Sequence, residues 1–88
     1  MSGQNVVFIG AKPVAVYLAR VVTLLASGSE VRIVARGRFI RKAVTVAVRA
    51  IKATGCDYKV ILDEEVLSAD EGERRVPRIE IILTRKSS

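Results

Sequence analysis

Two strand-like segments, each stopped near a glycine and followed at once by a stretch of helical periodicity, constrain this chain more than any other feature. The first run, Asn5-Val-Val-Phe-Ile9, ends at Gly10. An unbroken apolar run of that length predicts a strand buried on both faces. Pro13 suits a first helical position, where its missing N–H would have no partner anyway. Val14, Tyr17, Leu18, Val21, Val22 and Leu25 then recur at helical spacing, predicting a helix over residues 13–27. Its polar strip holds only Arg20, Thr23 and Ser27. So narrow a strip implies cover nearly all round, from a sheet or a second subunit. Gly28, between Ser27 and Ser29, is expected to end the helix as a left-handed cap.

The second unit repeats the plan. From Glu30 to Arg36, Val31, Ile33 and Ala35 alternate with Glu30, Arg32, Val34 and Arg36, the pattern of a half-buried strand. Gly37-Arg38 makes a tight turn, and a second helix is predicted over residues 39–53. At 100° per residue, Arg41, Lys42, Thr45, Arg49 and Lys52 fall within an arc of about 100°. Ile40, Ala43, Val44, Ala47 and Ile51 occupy the opposite side. The exposed stripe is therefore cationic, with no acid to balance it.

After Thr54-Gly55 the period changes to two. Lys59-Val-Ile-Leu62 and Val66-Leu67 read as one strand, Asp70-Glu71-Gly72 as a turn, and Val76 to Thr84 as the return strand, with Ile79, Ile81 and Leu83 inward. Pro77 cannot donate to a ladder, so its segment must be an edge or a projecting arm. The chain is thus expected to be one α/β domain over residues 1–88. Its fold class is a two-layer α/β sandwich, order β-α-β-α-β-β, with a long C-terminal β-hairpin arm over residues 58–86.

Composition removes much of chemistry. With no His, His-based proton transfer and His-ligated metal sites are excluded. Cys56 stands alone, so neither an intrachain disulfide nor a Cys-x-x-Cys site exists. Asp63-Glu64-Glu65 invites a carboxylate-pair reading. Neighbours on a strand point to opposite faces and no His or metal-ligand spacing accompanies them, so a solvated strand is the better account. No nucleoside-triphosphate loop or dinucleotide glycine fingerprint is present. An enzyme is not expected, nor any cofactor or metal. The first residues lack a secretory signal, and no apolar stretch approaches a membrane span, so a cytoplasmic protein is expected.

Charge points the other way, towards binding. The chain carries 15 Lys plus Arg against 9 acids, a net charge of +6. Residues 1–52 hold nine of the cations and a single acid, Glu30. The strongest local signal is Arg36-Gly37-Arg38 at a strand-to-helix turn. A helix start offers free N–H groups and a positive dipole end, a natural seat for phosphate. Gly37 lets backbone approach closely, and the two arginines add forked donors. In isolation Arg-Gly-Arg is as well read as a soluble cap. The cationic helix face beyond it, with Arg41, Lys42 and Arg49, favours anion binding. Gly10-Ala-Lys12-Pro13 repeats the geometry at the other helix start. Tyr17 and Phe39 sit at core-like spacing and are expected to pack, not to stack on bases.

These residues resemble the Alba family, small basic nucleic-acid-binding proteins of archaeal chromatin. Asn5-Val-Val-Phe-Ile-Gly10 with Lys12-Pro13 resembles its opening strand and lysine loop. Ala35-Arg36-Gly37-Arg38 with Ile40 and Lys42-Ala43-Val44 resembles its central signature, and Arg78-Ile-Glu-Ile81 its last strand. The resemblance covers nearly the whole chain. It implies a homodimer whose body lies over the duplex backbone while two hairpin arms reach towards the minor groove. Lys12, Arg36, Arg38 and Lys42 then match the phosphate-binding body, and Arg74, Arg75 and Arg78 the arm. Three places depart from the pattern. Ala11 stands where the family often has a lysine, and Thr54 where its common form has a phenylalanine. Asp70, Glu71 and Glu73 make an acidic hairpin tip. The departures resemble the divergent second paralogue that some archaea carry.

The expectation is therefore a chromosome-associated homodimer, or a heterodimer with a paralogue. Its partners are double-stranded DNA, which it compacts without sequence preference, and RNA; no membrane is involved. One rival reading is an RNA-processing or RNA-protecting subunit. Another is an adaptor whose basic face docks an acidic protein.

Overall fold

Four strands and two helices follow from this pattern in the computed structural model, which describes residues 5–70 and 72–86. They run β1 (Val6–Phe8), α1 (Val14–Ser27), β2 (Glu30–Arg36), a single 3₁₀ turn (Gly37–Phe39), α2 (Ile40–Thr54), β3 (Asp57–Ala69) and β4 (Gly72–Thr84). The order β-α-β-α-β-β is as expected. Residues 1–4, on which the expected lack of a secretory signal rests, and Glu71 of the acidic tip lie outside the described residues.

One mixed sheet of order β1-β2-β4-β3 carries both helices on one face. β1 runs parallel to β2, and the other pairs are antiparallel. Val31 and Ile33 of β2, Ile81 and Leu83 of β4, Val21 and Leu25 of α1 and Val46 of α2 close into a single core. A large aliphatic side chain removed fully from water contributes roughly 1.5–3 kcal/mol. A core of this kind explains how a chain with two Phe, two Tyr and no Trp packs. Gly55 ends α2 in the left-handed region at φ +72°, its N–H donating to Ile51 O at 2.7 Å. That conformation would cost an L residue about 1–2 kcal/mol.

Several expectations are corrected. The first apolar run is not buried on both faces. Only three residues pair, and Phe8 is 68% exposed, because β1 is an edge strand and the second face of the sheet has no helix. Pro13 immediately precedes α1 and does not open it; its extended ψ of 153° sets the entry angle. Gly28 is not left-handed: it is extended, at φ −129°, yet still donates its N–H to Leu24 O. α1 is not covered all round in the single chain, since only Tyr17, Val21 and Leu25 are buried. The buried side of α2 is Ala43, Val46, Ala47 and Ala50, while Val44 is exposed. The shift has a physical reason: α2 is wedged against both α1 and the sheet, and small residues allow that approach.

Candidate functional site

Because β1 and β2 are parallel, their carboxyl ends share one edge of the sheet, and each is followed directly by a helix. Both helix starts therefore come to the same end of the molecule, where ligands of open α/β sheets bind. Neither α1 nor α2 has a side-chain cap or an acid in its first turn. Apart from Val16 N–H, which donates to Pro13 O, and Ile40 N–H, which donates to Gly37 O, their N-terminal donors and positive dipole ends have no side-chain cap or first-turn acid to offset them.

The hairpin arm leaves from that same end. Pairing of β2 with β4 stops at Arg36 opposite Arg78, whereas β3 and β4 continue for six further pairs, from Glu64–Pro77 to Ala69–Gly72. At about 3.4 Å per residue the arm projects roughly 20 Å. Pro77 lies just past the end of β2, where no neighbour needs its missing N–H. The expected arm is thus explained by the one residue that could not sit in the closed part of the sheet.

The loop ahead of α1 is tied down by four hydrogen bonds. The Tyr17 hydroxyl accepts from Gly10 N–H at 2.9 Å and from Lys12 N–H at 3.2 Å. The Lys42 ammonium, on the first turn of α2, donates to Gly10 O at 2.8 Å and to Lys12 O at 2.7 Å. It also lies 5.9 Å from the ring centre of Tyr17 and 5.8 Å from that of Phe39. Lys42 is therefore a clamp between the two helix starts and not a free rim cation. Two of its three donors are spent on backbone, and the clamp holds the exposed Lys12 in place.

Gly37, at φ +54°, turns the chain from β2 into the 3₁₀ turn and so places Arg38. The Arg38 guanidinium stacks 5.0 Å above the Phe39 ring. Arg38 and Arg41 are exposed and form no ion pair among the described residues. Arg49 follows on the same stripe, but eight residues, or about 12 Å, further along α2. It flanks the site and does not belong to its centre.

Not every expected cation is free. Arg36 Nε lies 2.6 Å from Glu65 Oε1, Arg75 lies 3.3 Å from Glu64, and Arg78 lies 3.5 Å from Glu80. Arg32 bridges Glu30 at 3.1 Å and Glu80 at 2.8 Å. Its pKa is raised further, first by the hydrogen bond it donates to Glu30 and then by the charges of Glu30 and Glu80. Arg32, Arg36 and Arg78 with Glu30, Glu65 and Glu80 thus form a balanced ionic lattice on the helix-free face of the sheet, while Arg75 and Glu64 pair on the other side of the arm. The acids of Asp63-Glu64-Glu65 are not merely solvated, for two of them neutralise site arginines. Arg74 and Arg75, as strand neighbours, point to opposite faces of the arm.

Two features escaped the sequence reading. Phe8 stands exposed beside Lys12 and Arg20 on one side and Arg36 on the other. Its position at the end of an edge strand was the only signal. On the helix side, Val44, Val48 and Ile51 of α2 face Tyr58, Val60 and Leu62 of β3 across an open apolar groove of about 500 Å³. The alternation of Tyr58, Val60 and Leu62 signals it once β3 is known to extend beyond the helices.

A family model described as Alba matches residues 5–55. The DNA/RNA-binding protein Alba of Methanothrix thermoacetophila is 46% identical, over 94% of this chain and 98% of that protein. The DNA/RNA-binding protein Alba 1 of Archaeoglobus fulgidus is 44% identical, over 94% and 98%. Among solved structures, Alba from Thermoplasma volcanium gives a TM-score of 0.83 at 36% identity, over 92% of this chain and all of that one. ALBA1 from Trypanosoma brucei, at 24% identity and TM-score 0.75 over 99% and 74%, shares the fold. None of these names is that of an enzyme.

Proposed function

Since the chain belongs to the Alba family, we propose that it binds double-stranded DNA irrespective of sequence and compacts it as a homodimeric chromatin protein. One observation carries this reading. Lys12, Arg38 and Arg41 stand at two helix starts that share one end of the sheet, and the arm leaves from that end. A phosphate-lined rod laid across it meets cations and uncapped backbone donors together. No helix face offers a base-reading set of Asn, Gln and Arg, so affinity would come from phosphate contacts and released counterions. Gly37 and the Lys42 clamp hold the contacting loops, Arg49 extends the cationic flank, and Arg36, Arg74, Arg75 and Arg78 line the arm and its root.

The apolar groove between α2 and β3 supports the dimer. Tyr58 and Leu62, 63% and 74% exposed in the single chain, are costly to leave in water. Two copies covering these grooves would carry twice the +6 of one chain. The same groove would admit a paralogue and give a heterodimer. Binding of structured RNA is a second reading, favoured by relatives named DNA/RNA-binding proteins. In the cell the protein would be cytoplasmic and associated with the chromosome.

A salt titration of duplex binding is the test. Three free cations per chain give about six phosphates per dimer, so log K should fall against log[salt] with a slope near −5. A slope near zero would rule the mechanism out, and weak binding to every polyanion at moderate salt would return the adaptor reading. Competition between duplex DNA and folded RNA of equal length separates the two nucleic-acid readings.

A further inference from the structure

Phe8 is a large aromatic side chain held in water at the most cationic end of the molecule. It is 68% exposed, although it belongs to a paired strand. On one side it walls a cleft of about 330 Å³ with Val34, Arg36, Phe39 and Val76. On the other it walls a second cleft, of about 410 Å³, with Val16, Lys12 and Arg20. The ring is thus a ridge between two hollows, one rimmed by Lys12 and Arg20 and the other by Arg36, whose guanidinium a phosphate would share with Glu65. Phe39 cannot offer a platform of its own, because Arg38 and Lys42 both sit within 6 Å of its ring centre. The first cleft lies at the carboxyl ends of the two parallel strands, by the root of the arm, and the second runs along the free edge of β1 against α1.

We propose that Phe8 is a stacking platform for one unpaired nucleobase, such as a bulged nucleotide, whose flanking phosphates rest on Lys12 and Arg20 to one side and on Arg36 to the other. The inference rests on the nucleic-acid reading above and adds a subsite to it. A paired base keeps both faces within its helix and gains nothing from the ring. An unpaired base exposes a π-face that any aromatic side chain receives whatever the sequence. Charge complementarity selects this occupant: an apolar ring with cations on both flanks matches a flat base carried between two phosphates. The ligand chemistry common to RNA and DNA is the base and its phosphates: no amide side chain lines either cleft, and the one hydroxyl that does, on Tyr17, already accepts from Gly10 and Lys12 N–H.

The test compares an RNA hairpin carrying one bulged nucleotide with the same hairpin fully paired, alongside the DNA counterparts, all at low salt. The native chain should bind each bulged hairpin about tenfold more tightly than its paired form. In Phe8→Ala that ratio should fall to about one, and Phe8→Tyr should restore it. Because the chain has no Trp, Phe8→Trp makes a single reporter, whose fluorescence should be quenched by bulged and not by paired hairpins. Equal binding of bulged and paired forms by the native chain, or an unchanged ratio in Phe8→Ala, overturns the platform alone. A preference confined to RNA overturns its assignment to the base face. A ratio lost together with a changed oligomeric state in Phe8→Ala assigns Phe8 to a contact between copies instead. No binding of any hairpin overturns the nucleic-acid reading, and the platform with it.

Discussion

Arg36, the last residue of β2, has its Nε 2.6 Å from Oε1 of Glu65 on β3, across the intervening strand β4. That oxygen is sealed from solvent and makes no aligned hydrogen bond, so the contact is chiefly one of charge on charge. A phosphate approaching this end competes with Glu65 for the same guanidinium.

Glu65→Gln should therefore strengthen duplex binding by about threefold. The salt slope should steepen by about 0.9 for each arginine released to a phosphate. Removing a half-exposed ion pair costs only about 0–1 kcal/mol of stability, so the melting temperature should move little. A gel-shift salt series on the two proteins, with a thermal melt of each, reads both effects.

Arg38 differs from Arg36 in having no carboxylate partner among the described residues. Arg36→Ala combined with Arg38→Ala should weaken binding to all duplex sequences alike and flatten the salt slope. A loss confined to one sequence in a panel of unrelated duplexes would contradict phosphate binding at this end.

Lys42 acts through the loop it holds. Lys42→Met leaves the carbonyls of Gly10 and Lys12 without their donor, at a cost of about 1–3 kcal/mol. For a domain of this size each kcal/mol lowers the melting temperature by about 4–8 °C. Tyr17→Phe removes the acceptor from the same loop and should destabilise in the same direction, with the lysine charge intact. If duplex affinity falls in Tyr17→Phe as it does in Lys42→Met, loop order and not the ammonium charge is what binding needs. Calorimetry and salt titration of both variants decide it.

The groove makes a separate prediction. Leu62→Asp places a charge among apolar side chains that a second copy would cover, while the exposed position tolerates it in the single chain. Sedimentation equilibrium should show monomers in place of dimers, with far-UV circular dichroism retained. A dimer that survives would move the interface elsewhere.

Local pattern alone determined the element order, the two helix starts, the arm and the excess of cations near residues 36–42. Each of these follows from nearest-neighbour chemistry: period, glycine and proline geometry, and charge along one helix face. The tertiary structure alone decided which cations are free. Arg36 meets Glu65 only through the register of three strands, and Lys42 meets the Gly10 and Lys12 carbonyls only because parallel β1 and β2 bring two helices to one end. The exposure of Phe8 was likewise illegible in its apolar run, since burial depends on which face of the sheet the helices cover, and that is a property of the assembled layers and not of any segment.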